Sequence, residues 1–230
     1  MSVEPIRQKL SITVAVPTAG TVPVDFAYSL VALVSRVMTN GVPTRRECSV
    51  GMRFDVVKSS SIHGNREMLA RRCVDRGDTH LLFIDDDMEF EPQALEILLG
   101  RRAPVVVTNY LIKTEDQQFT AVSLDGKRVV TDETTSGTYP VQFSGFGFSL
   151  FSTEVFKAIP QPWFGTDWDA ENLKHTTEDF PFFNKVREAG FEVLLDHDAS
   201  KCLGHIGRKV WRWNDPINFG GQHGKLENAG

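Results

Sequence analysis

Between Leu10 and Thr108 the chain alternates strand-like and helix-like segments four times, and this rhythm limits the fold more than any other feature. Leu10 to Val16 (LSITVAV) alternates and is rich in β-branched residues, and Cys48 to Val57 reads as a second strand. His80 to Ile84 (HLLFI) and Pro104 to Thr108 (PVVVT) have the length and bulk of buried strands. Helices are predicted between them: Phe26, Leu30, Leu33, Val34 and Val37 recur at helical spacing between Pro23 and Gly41. Ile62 to Arg76, stopped by Gly77, and Pro92 to Gly100 are the second and third. Such a rhythm implies an α/β fold with a mainly parallel central sheet and helices on both faces. In such sheets ligands bind outside the carboxyl ends of the strands.

After Asn109 the rhythm stops, and a small antiparallel region is predicted. Phe119 to Leu124 and Arg128 to Thr131 flank Asp125-Gly126, a strong hairpin signal. Val141 to Phe151 (VQFSGFGFSLF) is expected as one strand interrupted by Gly145 and Gly147, where glycine marks a bulge or close approach of a ligand or another backbone. Thr153 to Ile159 is a short helix, Gln161 to Lys174 an aromatic surface loop, Asp179 to Ala189 a helix and Glu192 to Leu195 a last strand.

Composition removes several function classes. Net charge is −5 and the pI about 5.7, so no basic footprint for nucleic acid exists. Cys48, Cys73 and Cys202 are odd in number and widely spaced, which encodes neither a disulfide framework nor a zinc site and favours a reducing compartment. The stretch MSVEPIRQKL lacks an apolar signal core. Val24 to Met38 is broken by Asp25 and Arg36 and is shorter than the roughly 20 residues that span a bilayer. A cytoplasmic protein is expected, with attachment to a membrane surface left open.

The third strand ends in FIDDDM, where Asp85, Asp86 and Asp87 follow one another at the ligand edge. Three adjacent carboxylates repel, and a divalent cation relieves the repulsion; an Asp-rich turn before a helix is the plainer alternative. Two further clusters follow: Glu178-Asp179 heading a helix, and Asp196-His197-Asp198 with His205 beyond. Carboxylates with one imidazole suit Mn²⁺ or Mg²⁺ with open positions for phosphate oxygens.

The order of NRE (Asn65 to Glu67), FIDDDM, GFGF (Gly145 to Phe148), TEDFPFFNKVREAGFEV (Thr177 to Val193) and CLGHIG (Cys202 to Gly207) resembles the GT-A glycosyltransferases, family 2-like members above all. The likeness covers most of the chain. It implies one GT-A domain over residues 1–230, with a nucleotide-sugar-binding half (10–108), an acceptor and catalytic half (109–207) and a tail (208–230). It implies that Asp87 binds the metal, that Asp85 holds the donor and reaches the metal through water, and that His205 is the second protein ligand, with His197 its competitor. Asp179 would be the general base, Glu178 the second choice. Pro17, Thr18 and Asp55 would lie near the nucleoside and Asn65 and Arg66 near the diphosphate. Asp86 is counted with the donor residues, although its side chain is expected to turn to structural partners.

What the resemblance implies is a metal-dependent transferase moving a sugar from a nucleotide diphosphate donor, a UDP-sugar favoured, to a saccharide or other hydroxyl acceptor with inversion. Retention remains an alternative, because both outcomes share the DxD. A nucleotidyltransferase is a second alternative, weakened because Pro17-Thr18-Ala19-Gly20 has a single glycine and no Lys or Arg. A non-catalytic nucleotide- or carbohydrate-binding module is the third.

Overall fold

The structure, a computed structural model, describes residues 8–45, 48–113, 118–166, 168–169, 174–175, 177–207 and 210–215. The predicted alternation is present: β1 (Gln8–Thr18), α1 (Val24–Asn40), β2 (Cys48–Lys58), α2 (Ile62–Asp75), β3 (His80–Ile84), β4 (Met88–Phe90), α3 (Gln93–Gly100) and β5 (Val105–Val107). Then follow β6 (Val122–Ser123), β7 (Thr138–Phe143), β8 (Phe148–Ser152), α4 (Thr153–Ala158), β9 (Trp168–Asp169), β10 (Lys174–His175) and α5 (Asp179–Glu188). The chain continues through β11 (Leu194–Asp196), α6 (His197–Ser200), β12 (Leu203–Ile206) and β13 (Val210–Arg212).

Eight strands form one sheet in the order β2-β1-β3-β8-β5-β11-β7-β6. The parallel pairs β1/β2, β1/β3 and β5/β11, joined through the antiparallel neighbours of β8, leave only β7 and β8 running against the other six. The mainly parallel α/β sheet expected from the sequence is therefore the observed one. Two-residue periodicity divides its side chains between two cores. Leu81 and Phe83 face α2, α4 and α5 together with Leu69, Cys73, Phe156, Phe182 and Phe183. Leu82 and Ile84 face the other way, against Phe26, Leu33 and Val37 of α1 and Leu95 and Leu98 of α3.

Three local expectations need correction. The stretch from Val141 to Phe151 is not one strand: it divides into β7 and β8 around residues 144–147. Gly145 and Gly147 break it because the Tyr110 ring lies against them; a Cβ at Gly145 would stand 2.1 Å from the Tyr110 hydroxyl, and one at Gly147 would stand 2.6 Å from Cζ. The turn at Asp125-Gly126 forms, with Gly126 at φ +83°, but its ladder is short: the arms meet at the bridge Val122↔Arg128, closed by Ser123 N–H to the Lys127 carbonyl (2.8 Å) and Val129 N–H to the Ala121 carbonyl (3.0 Å), while β6 pairs with β7 on its other side. The aromatic stretch after Gln161 is not all surface. Trp163 and Phe164 are buried, because the Glu67 carboxylate accepts from both their backbone N–H groups (2.8 and 3.0 Å) and holds the turn against the core. Among the described residues no helix is long and apolar enough to cross a membrane.

Candidate active site

Asp85 leaves the end of β3 with its N–H donated to the Gly147 carbonyl (3.0 Å), and Met88 N–H closes a turn onto the Asp85 carbonyl (3.2 Å). That turn aims three successive carboxylates along three different directions, and each meets a different part of the molecule.

Asp85 faces Arg66. The guanidinium donates from Nη1 to Asp85 Oδ1 (2.9 Å) and from Nε to Glu178 Oε1 (3.0 Å), and its Cζ lies 4.7 Å from the Phe146 ring centre. Arg66 is only 3% exposed. Burial alone would favour the neutral guanidine, but the charges of Asp85, Glu178 and Asp179 more than offset it and hold the cation above its usual pKa. The resemblance put Arg66 beside a diphosphate; the side chain instead turns inward and ties the end of β3 to the head of α5. Asn65 beside it is also spent internally: its amide donates to the Thr18 and Ser59 carbonyls, and its Oδ1 accepts from the Ser59 hydroxyl (2.5 Å).

Asp86 turns toward the loop after β1. Burial and the neighbouring charges of Asp87 and Asp85 raise its pKa, and hydrogen bonds from Thr18 and the Ala19 backbone partly counter them. It thus lies beside Thr18, with Pro17 one residue earlier in β1. Asp55 lies further down the adjacent strand in an ion pair with Arg76 (2.6 Å).

Asp87 faces His205 and Lys113. The pairing of β4 with β12 sets Met88 opposite His205, and Ile206 N–H donates to the Asp87 carbonyl (2.7 Å), so sheet register brings the two side chains together. His205 Nδ1 lies 2.8 Å from the Leu111 carbonyl, an acceptor only, so this nitrogen carries the proton. The lone pair of Nε2 then faces Asp87 Oδ2 across 3.5 Å. Two acceptors do not bond to each other, so this gap calls for a positive charge. Lys113 supplies one, its ammonium bonded to Asp87 Oδ2. Burial would raise the Asp87 pKa, but the His205 ring, when it carries a second proton on Nε2, and the Lys113 ammonium override it and lower it to about 2.

The same pair fits a divalent ion. Two ligands each about 2.1 Å from a metal stand about 3.0 Å apart at a right angle and about 4.2 Å apart when opposed, and 3.5 Å falls between these limits. A backbone carbonyl fixing the far nitrogen of the ring is the usual support for a ligating histidine. Among the described residues no three His, Cys, Asp or Glu side chains gather into a cage. An ion held at Asp87 and His205 would take its other ligands from substrate or water. His197 stands apart: it is buried with Nδ1 2.9 Å from the Thr131 hydroxyl, while Asp196 and Asp198 both pair with Arg101.

Asp179 opens α5 directly after Glu178. Burial and the Glu178 charge raise its pKa to about 7, Arg66 pulling against them. Further along the same helix Phe182 and Phe183 pack against Phe146, with ring centres 5.2 to 5.3 Å apart, and Phe146 also lies under the Arg66 guanidinium. Thr176 lies outside the described residues, and the N-cap of α5 is Glu178, which makes no side-chain cap bond.

Tyr110 joins the two halves of the site. Its ring meets His205 edge-on (centres 5.0 Å apart), its hydroxyl accepts from Gly147 N–H (3.0 Å), and burial with the charges of Asp85 and Asp179 raises its pKa. Neither Tyr110 nor Lys113 was a candidate from the sequence. The signal for Tyr110 was the pair of glycines, which demanded a bulky neighbour.

No protein-family model and no curated protein sequence matches the chain. Among solved structures it is similar to A197 from STIV, at 17% identity over 93% of this chain and 99% of that one, with a TM-score of 0.55. A likeness at that identity shows a shared fold. The catalytic domain of Drosophila beta1,4-galactosyltransferase 7 in complex with xylobiose aligns at 14% identity over 91% of this chain and 77% of that one, TM-score 0.49. A mutant of that enzyme in complex with manganese, UDP-Gal and xylobiose aligns at 14% identity over 90% and 76%, with the same TM-score.

Proposed function

We propose that this chain is a glycosyltransferase of the GT-A type, moving a sugar from a nucleotide diphosphate donor, a UDP-sugar favoured, to a hydroxyl acceptor. The observation that carries the reading is the clustering at the end of β3 of the Asp87–His205 pair, facing a cation position, and, through Asp85, Arg66 and Glu178, the carboxylate of Asp179, whose pKa of about 7 suits proton abstraction. The motif order that resembles this family supports it independently.

In this reading Asp87 and His205 hold Mn²⁺ or Mg²⁺, which supplies charge stabilisation for the departing nucleoside diphosphate. Thr18 and Asp86 line the path from the sheet edge to the donor. Asp179 accepts the proton of the acceptor hydroxyl as that oxygen attacks the anomeric carbon, and a single base with in-line attack gives inversion. Arg66 keeps the donor carboxylate Asp85 and the helix bearing the base in fixed relation. Partial burial and the Glu178 charge beside it sustain the affinity of Asp179 for a proton near neutral pH. One domain with a donor half at 10–108 and an acceptor half at 109–207 follows, both halves contributing strands to one sheet.

Calorimetric titration of UDP, GDP and TDP with and without Mn²⁺ tests the reading. Metal-dependent binding of at least one of them is expected, and its absence for all three would refute the proposal.

A further inference from the structure

The three-stranded sheet β4-β12-β13 has two faces. Met88 and His205, opposite each other in the ladder, look toward the site already described, while the intervening pair Glu89 and Gly204 looks away from it. Where this sheet meets the middle of α1 and the turn after α6 lies a groove of about 380 Å³, lined by Glu89 and Gly204 from one face and by Phe90 and Leu203 from the other. Its walls carry Tyr28, Phe90 and Trp213 as the aromatic residues, Phe90 buried, and Glu89, Glu91, Lys201 and Arg212 as the charged ones.

Three observations describe what fits such a groove. Tyr28 is 77% exposed on a helix whose core face is formed by Phe26, Leu33 and Val37, so its ring is an open apolar surface that packing does not explain. Lys201 Nζ lies 5.6 Å from the Trp213 ring centre and steadies the second ring against the wall. The charges balance, two acidic against two basic, and Arg212 already bonds Glu89 at 2.7 Å across β12. That bond needs Gly204: a Cβ there would stand 2.8 Å from Arg212 Nη1 and 3.2 Å from Glu89 Oε2. A groove with no net charge gives an ionic ligand no advantage. Its carboxylate and guanidinium oxygens and nitrogens instead offer paired acceptors and donors between two apolar rings.

We infer that this groove binds a neutral saccharide. The ring faces of a sugar are apolar C–H surfaces that lie against Tyr28 and Trp213, and its hydroxyls both donate to Glu89 and Glu91 and accept from Arg212 and Lys201. The volume accommodates one or two sugar rings, within the range of ordinary small-molecule sites. The assignment stands on the groove alone and holds whether or not the site at Asp87 and Asp179 transfers sugar. If it does, the groove gives a saccharide acceptor a second point of attachment.

The test is calorimetric or NMR titration of the full chain with maltotriose, cellotriose and chitotriose, in EDTA and without nucleotide, so that the Asp87–His205 pair is silent. Saturable binding of at least one is expected, unchanged by raised salt because the ligand carries no charge. Tyr28→Ala and Trp213→Ala each weaken it by about tenfold, and Asp87→Ala leaves it unchanged. Tyr28 is so exposed that its removal leaves the fold intact, which separates lost binding from lost structure. No binding of any of the three sugars up to about 10 mM, binding that survives both aromatic substitutions, or binding lost in Asp87→Ala would each overturn the inference.

Discussion

His205 Nε2 stands 3.5 Å from Asp87 Oδ2 with its lone pair turned toward the carboxylate, because the Leu111 carbonyl takes the proton of Nδ1. The pair attracts cations and has nothing to offer an anion directly. His205→Ala is expected to weaken Mn²⁺-dependent nucleotide binding by about 10- to 100-fold, and Asp87→Ala to abolish it, while thermal unfolding without metal changes little for His205→Ala. Calorimetry with and without Mn²⁺ reads both effects; equal nucleotide affinity in wild type and His205→Ala would remove the histidine from the metal.

Asp179 carries the acid limb of turnover. With a pKa of about 7, its carboxylate fraction falls below neutrality, so the rate should drop about tenfold per pH unit below pH 7. Asp179→Asn is expected to bind donor normally and to lose turnover by about 10² to 10⁴. A normal rate in that variant would assign the base elsewhere.

The same carboxyl makes a stability prediction of definite sign. Its folded pKa is raised from 3.8 to about 7, so between those values the native state holds a proton that the unfolded chain releases. Stability contributed by this group is therefore full below pH 3.8 and lost as pH rises through 7. Chemical denaturation across pH 4 to 8 should show a smaller fall for Asp179→Asn than for wild type.

Arg66 is buried with two carboxylates on its guanidinium. Arg66→Met leaves Asp85 and Glu178 without their cation in a partly buried setting, at a cost of about 3–5 kcal/mol in urea denaturation. Arg66→Lys retains the charge and loses the fork, so it should fall between wild type and Arg66→Met.

Gly145→Ala drives a methyl group into the Tyr110 hydroxyl and should destabilise by about 1–3 kcal/mol. Combining it with Tyr110→Phe, which removes the atom 2.1 Å away, should recover part of the loss. A double variant as unstable as the sum of the singles would mean that the glycine answers to some other neighbour.

The legible parts of the chain are those with a period. His80 to Ile84 coincides with β3, and α1, α2 and α3 fall within a residue or two of their caps, because Pro, Ser and Gly mark helix ends chemically. β4, β12 and β13 have three or four residues each, too few for alternation to register, and they are the elements that bring His205 to Asp87. The inward turn of Arg66 had a trace in the sequence: Arg66, Leu69, Ala70 and Cys73 follow helical spacing, and all four are buried. Charge argued for the outer face, and two carboxylates distant in sequence settled the matter for the inner one. Lys113 left no trace, since a lysine in a polar stretch has no pattern that distinguishes it from any other.

β8 lies between β3 and β5 and runs against both. Since β8 begins at Phe148, neither neighbour has its central partner until most of the chain has been synthesised. Until then β3 and β5, apolar apart from His80, present open edges that invite pairing with other chains. The acid-bearing strand thus waits on a late segment before its turn can dock on Gly147, and the folding of this molecule is governed by long-range closure and slow relative to its size. A chain ending before Phe148 would hold the β2-β1-β3 sheet and the β6-β7 pair, with β5 left without either of its neighbours.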